Sequence, residues 1–387
     1  MAVRIGSGMT IGGEPLSAAA EAAVQARQGL GGEPADVAIV FASGDHLLSP
    51  HAMLEGIHEG LSPRTLIGCG ASGVVEGRRE LESGTAISVW AAAFGGGEAY
   101  AFHSRAIEQD DAVAVTGLPE MSGASGAILL PDVTTYPAEL VLAELHSRAP
   151  GVPVLGGVAS GASASGGAIL FRDDEVLFEG AVGLRLEGVE LLPCVSQGAT
   201  PVGPELTITA ASGNVIEELA GAPALTKLRD VILALEPVER ELLSRGLLLG
   251  VVIDGDKPDY LHGDFLVRGL AGADPDEGSI AVGAMVRPGQ VVRLHARDAL
   301  SATRDLVEAL GLRREALGGQ GAAGALVFTC TGRGRGMFGR GDHDAEAVGE
   351  AFDDVPAAGF FAGGEIGPVG GGSFLHTFTA TVAVFPR

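Results

Sequence analysis

Short apolar runs and amphipathic stretches alternate along this chain, and their order repeats. The run Asp36–Asp45, DVAIVFASGD, has the continuous apolar character of a strand covered on both faces. Ser49 and Pro50 open a helix in which Met53, Leu54, Ile57 and Leu61 form one apolar stripe. A second apolar run then enters the glycine-rich RTLIGCGASG, ending at Gly73. The same order recurs from GAILLPD, Gly126–Asp132, through a helix near Pro137 with Ala138, Val141, Leu142 and Leu145 as its stripe, to VPVLGGVASGAS. Phe41 to Gly68 and Leu129 to Gly156 are both 27 positions apart. A looser third copy runs from ALVFTCTGRGRG through a helix carrying Ala345, Val348 and Phe352 to AGFFAGGEIGPVGGG, with 31 positions from Phe328 to Gly359.

A helical crossover of this length joins parallel strands in a right-handed sense, so each copy predicts two parallel strands and a glycine-rich return at one edge of a sheet. Ligands of open α/β sheets bind beyond the carboxyl ends of such strands, and glycine there admits close backbone approach. The returns are therefore expected to cluster in space. After each return the pattern turns antiparallel: SGTAISVWAAAF and EAYAFHSRAI flank the Gly95–Gly97 turn, and GAILFR and EVLFEGAVGLRL flank Asp173 and Asp174, which predicts two hairpins. From NVIEELAGAPALTKLRDVILAL the pattern reads as helix, followed by further strands and a helix over residues 301–310. The fold class is α/β, with mixed sheets built from repeated strand-helix-strand units, glycine-rich returns and following hairpins. A boundary near Ala222 divides it into two pseudo-similar domains, 34–221 and 222–387.

Composition narrows the function. With 387 residues, 46% hydrophobic and 19% charged, the chain exceeds what one core usually serves. A formal charge of −24 repels nucleic-acid backbones and anionic membranes, so neither is an expected partner. The start lacks a signal-peptide pattern and no stretch has the length of a membrane span, which predicts a cytoplasmic protein. Cys69, Cys194 and Cys330 are too far apart for a C-x-x-C site and are expected as reduced thiols.

Candidate chemistry concentrates near the returns. Arg333, Arg335 and Arg340 lie in CTGRGRGMFGRGDHD between a strand end and a helix, where guanidinium groups suit a carboxylate; alternatively they offset an acidic surface. Glu365 follows Gly364 in the third return and suits a ligand ammonium or a pairing with Arg333, so the two together suit a zwitterion such as an amino acid. On this reading Arg333→Ala loses ligand and keeps the fold. Cys69, Ser72 and Ser160 sit in the first two returns as ligand contacts, or as core and turn residues. Cys69 or Ser72 would be the nucleophile if the chain were a small-molecule hydrolase or transferase. His376 alternates with Phe374 and Phe378, the setting of a core histidine or of an axial haem ligand. Asp342, His343 and Asp344 read as solvated charges at a helix start, with no metal expected.

The ordered pieces IGCGASG, TPVGPELTITAASGNVIEELAGAPAL, FTCTGRG and GFFAGGEIGPV resemble the FIST N-terminal and C-terminal domain pair, over roughly Pro34 to Phe385. The resemblance implies a sensory role without catalysis: a small ligand, amino acids among the candidates, bound without a cofactor. It also implies an alternative as a haem-based nitric oxide sensor. With no kinase, cyclase, methyl-accepting or F-box segment recognised, the expected output is a separate signalling protein.

Overall fold

The continuous apolar runs become strands closed to solvent along their whole length: Val37–Ser43, Gly126–Pro131 and Ala322–Cys330. The computed structural model describes residues 2–109, 112–162, 166–253, 255, 260 and 262–387. Each of the three strands pairs in parallel with the strand that follows its helix, Thr65–Gly70, Val154–Gly157 and Ala357–Ala362. The intervening helices are Pro50–Leu61, Ala138–Arg148 and His343–Ala351. The register is one step from the sequence alignment of the first and third copies. Val40, Leu129 and Val327 are the equivalent residues, opposite Gly68, Gly156 and Gly359. A Cβ at those glycines would lie 2.1, 2.0 and 1.8 Å from the opposing carbonyl oxygen, so the parallel strands are packed too closely there for any side chain.

Each parallel pair is the centre of one sheet, and the three sheets have one plan. The first runs Arg4–Ile11, Ala86–Ala93, Val37–Ser43, Thr65–Gly70, Leu170–Arg172, Glu175–Leu177. The second runs Ala112–Thr116, Glu98–Gln109, Ala181–Glu187, Gly126–Pro131, Val154–Gly157, Glu365–Val369, Gly372–His376. The third runs Leu192–Ser196, Ala380–Pro386, Ala322–Cys330, Ala357–Ala362, Val74–Glu76, Arg79–Leu81. The hairpin after each return leaves its own sheet and joins another in a cycle. The first copy's hairpin extends the third sheet, the second copy's extends the first, and the third copy's extends the second. The inner faces share one core, in which Phe41 stacks on Phe360 at 4.9 Å and meets Phe328 edge-on at 6.4 Å. Helices cover the outer faces.

These three sheets make one compact unit, residues 1–196 with 306–387, and residues 197–305 make a second. Position 222 lies inside the second unit, because the last strands pair with Val74–Glu76 and Leu192–Ser196 of the first. The likeness among the copies is thus internal to one unit. The second unit is a wholly antiparallel seven-stranded sheet with the helices Ala224–Ala234 and Pro237–Arg245.

Two local expectations are corrected. The strands on either side of Gly95–Gly97 do not form a hairpin, because both edges of Ala86–Ala93 are taken by Arg4–Ile11 and Val37–Ser43. The stretch read as helix from residue 214 begins as the strand Val215–Leu219, and helix starts only at Ala224. The amino-terminal strand Arg4–Ile11 and helix Pro15–Gly29 fall outside the repeat that organised the sequence reading.

Candidate functional site at the glycine-rich returns

The three returns meet. Gly161 N donates to Gly70 O at 3.0 Å, Phe361 N to Gly73 O at 3.0 Å, and Gly363 N to Val158 O at 3.0 Å, so each return bonds to another. Val158 N also donates to Gly364 O at 2.8 Å, which places Gly364 against the second return. The Ser160 hydroxyl links all three: it accepts from Ser72 N at 2.9 Å and donates to Phe361 O at 2.5 Å. Ser160 therefore serves turn backbone, as hydroxyls in such loops commonly do, while Ser72 stays exposed at the rim. A Cβ on Gly161 would come within 2.5 Å of Ala71 N, so only glycine lets these backbones converge. Cys69 is not at this surface. It packs in the central core, and burial pushes its thiol far above the usual range.

Behind the third return lies a buried polar cluster. Arg333 Nε and Nη2 donate to Asp344 Oδ2 and Oδ1 at 2.7 and 2.8 Å, a bidentate pair with neither side chain open to solvent. Thr329 donates to Asp344 Oδ2 at 2.5 Å, and His343 Nδ1 lies 2.8 Å from Oδ1. The Phe338 ring stacks on His343 at 3.4 Å and lies 5.1 Å from the Arg333 guanidinium carbon. Glu80 Oε1 accepts from the N–H groups of Asp344 and Ala345, both at 2.9 Å, and so caps the helix from a strand of another copy. Asp344 and His343 are therefore buried pairing residues, correcting the reading of solvated helix-start charges: the short helix Gly334–Phe338, ended by Gly339 at φ 71, turns the chain so that Arg333 meets them. Arg335 and Arg340 do remain at the surface.

Glu365 begins the strand after the third return and is fully buried. Its Oε2 accepts from Thr379 N at 3.1 Å and Thr379 Oγ1 at 2.7 Å. Its Oε1 and Arg333 Nη1 are buried without a hydrogen-bond partner. Arg333's bidentate partner is thus Asp344 and not Glu365, although the two charges still act on each other. Cys330, at the end of its strand, completes the cluster. Its Sγ receives Gly332 N at 3.5 Å and Phe378 N at 3.3 Å, and its thiol lies against the Glu365 carboxyl.

Burial dominates the electrostatics. It pushes Glu365 up to about 8 against the opposing bonds from Thr379 and Cys330 and the charge of Arg333. Burial and then Glu365 push the Cys330 thiol up to about 12. Burial and then Asp344 raise Glu80 to about 7. For Asp344 burial acts upward too, but the Arg333 charge and hydrogen bonds reverse it and hold this carboxyl well below the usual range. Near neutral pH the cluster is thus an Arg333–Asp344 ion pair beside a protonated Glu365 and a neutral thiol.

His376 lies opposite Glu365 in the adjoining strand, and its Nε2 is 2.9 Å from the Gly367 carbonyl, to which it must donate. Ligation of a haem iron through Nε2 would require breaking that bond, and the side chain is buried within a paired strand. Among the described residues no group of three or more His, Cys, Asp or Glu could hold a metal, and no helix is long and apolar enough to cross a membrane. Sequence reading missed Cys330, Asp344, Glu80 and Thr379. Cys330 and Asp344 stood in the singled-out CTGRGRGMFGRGDHD loop, but nothing local to Thr379 or Glu80 marks them as partners.

Two family models match consecutive parts of the chain, and they meet within the second unit. Residues 36–222 match the FIST N domain and residues 224–368 the FIST C domain. The chain is 42% identical over 384 residues to the uncharacterized protein Rv0628c of Mycobacterium tuberculosis, covering 99% of this chain and 100% of that one. It is 41% identical over 384 residues to the uncharacterized protein Mb0898c of Mycobacterium bovis, covering 99% of both. The chain belongs to the FIST family, whose domains are associated with sensing in signal transduction.

Proposed function

We propose that this protein is a non-catalytic small-molecule sensor that reads its ligand where the returns converge and passes the signal to a separate protein in the cytoplasm. The ligand is a small carboxylate or zwitterion such as an amino acid: an acceptor group meets Arg333 Nη1, a donor group meets Glu365 Oε1, Ser72 lies at the rim, and the buried Gly364 lies beneath it. The observation that carries this reading is the pair of fully buried, unfilled polar atoms just behind the returns. Buried polar atoms are ordinarily satisfied, and a bound ligand would supply the missing partners of both. Thr331 and Gly363, near Arg333 and Glu365 in the chain, are exposed.

A thermal-shift screen over amino acids and small organic acids tests the proposal, because a compound that binds only the native state raises the melting temperature as its concentration rises. A hit should lose its effect in Glu365→Gln. A hit that loses its effect in Arg64→Ala instead would place the site at the other end of the same strands, where Arg4, Asp36, Arg64 and Glu98 border a hollow of about 410 Å³.

A further inference from the structure

We infer that Cys330 is a site of covalent addition for a soft electrophile such as an α,β-unsaturated carbonyl compound, with Glu365 as the proton acceptor. Cys330 ends its strand and is 6% exposed, and the next residue, Thr331, is exposed. Two backbone N–H groups, those of Gly332 and Phe378, point at this sulfur. Phe378 does so from φ 62, a left-handed conformation costly for a bulky side chain. Paired N–H donors stabilise negative charge developing on sulfur as they do on oxygen. The Glu365 carboxyl lies against the thiol, its Oε2 pinned by Thr379 and its Oε1 unfilled, and Arg333 contributes positive charge to the same enclosure. The other two thiols sit in hydrocarbon clusters instead.

Near neutral pH the thiol and Glu365 are both protonated, so reaction proceeds from the fraction of molecules in which Glu365 is ionised, and there the thiol proton passes to that carboxylate. The sulfur then bonds to the β-carbon of the acceptor, the π pair of the C=C bond moves onto the carbonyl oxygen, and the enolate recovers the proton from Glu365. The net change is addition of S–H across C=C, with no leaving group and no external oxidant.

The test uses N-ethylmaleimide on the native full-length protein, with peptide mass spectrometry to apportion the label, and is independent of any non-covalent ligand. Cys330 should be modified at least about tenfold faster than Cys69 and Cys194, whereas in urea all three should react alike. Folded Glu365→Gln, checked by circular dichroism, should slow Cys330 labelling by about tenfold or more, as for loss of a general base. Cys330 as protected as Cys69 in the native wild type would overturn the inference, and so would undiminished labelling in folded Glu365→Gln. If that variant does not fold, the wild-type ratio alone decides.

Discussion

Arg333 and Asp344 form a bidentate ion pair, at 2.7 and 2.8 Å, with both side chains closed to solvent. Removing one partner of such a pair leaves an uncompensated buried charge. Arg333→Ala is therefore expected to destabilise the protein by about 3–5 kcal/mol, measured by urea unfolding. The expectation from sequence, that this substitution spares the fold, is replaced by its opposite. A loss below about 1 kcal/mol would mean that the pair contributes no more than a surface one.

That reversal shows where the sequence stops being legible. The strand-helix-strand copies are local, so hydrophobic periodicity located all three. Glu365 stood out because it follows two glycines. Its partner Thr379 lies across a hairpin, and Asp344 looked solvated beside Asp342 and His343 because only a tertiary turn brings Arg333 to it. The cyclic exchange of hairpins was equally invisible, since the strand Val74–Glu76 carries no mark that its neighbour is Ala357–Ala362.

The exchange predicts how the chain can be cut. Gln197 N donates to Asp305 Oδ2 at 2.8 Å, so the ends of the second unit lie side by side. Replacing residues 198–304 by a short Gly/Ser linker should leave a folded first unit with a cooperative thermal transition. A fragment ending at residue 222 should not fold, because it lacks the central strands of the third sheet. Nuclear magnetic resonance dispersion of the two shortened chains checks both outcomes, and a folded 1–222 fragment would refute the shared core.

The close strand approach predicts equivalent sensitivity at three distant positions. Gly68→Ala, Gly156→Ala and Gly359→Ala each force a methyl group against a carbonyl oxygen. Each should cost at least about 2 kcal/mol by chemical denaturation, towards the upper end of overpacking effects. A neutral result at any one would show that its sheet opens freely.

Stability should also depend on pH in a defined sense. Glu365 is raised in the fold from the ordinary 4.5 to about 8, so the native state holds its proton more tightly than the unfolded chain does. Stability accordingly falls as pH rises from about 4.5 to about 8, and Glu80, raised to about 7, adds to that decline. Asp344, held low, acts oppositely, and its contribution is lost as pH falls below the usual carboxylate range. Glu365→Gln should reduce the decline between about pH 4.5 and 8 to the part due to Glu80 and leave the acid limb in place, as read from unfolding free energies between pH 3 and 9.

The most direct measurement of the sensing proposal is isothermal titration of the best stabilising acid or amino acid into wild type and folded Glu365→Gln. Removing a hydrogen bond that involves a charged group should weaken binding by about 1.5–3 kcal/mol, roughly ten- to a hundredfold in Kd. Equal affinity in the two proteins would contradict a ligand bound behind the converging returns.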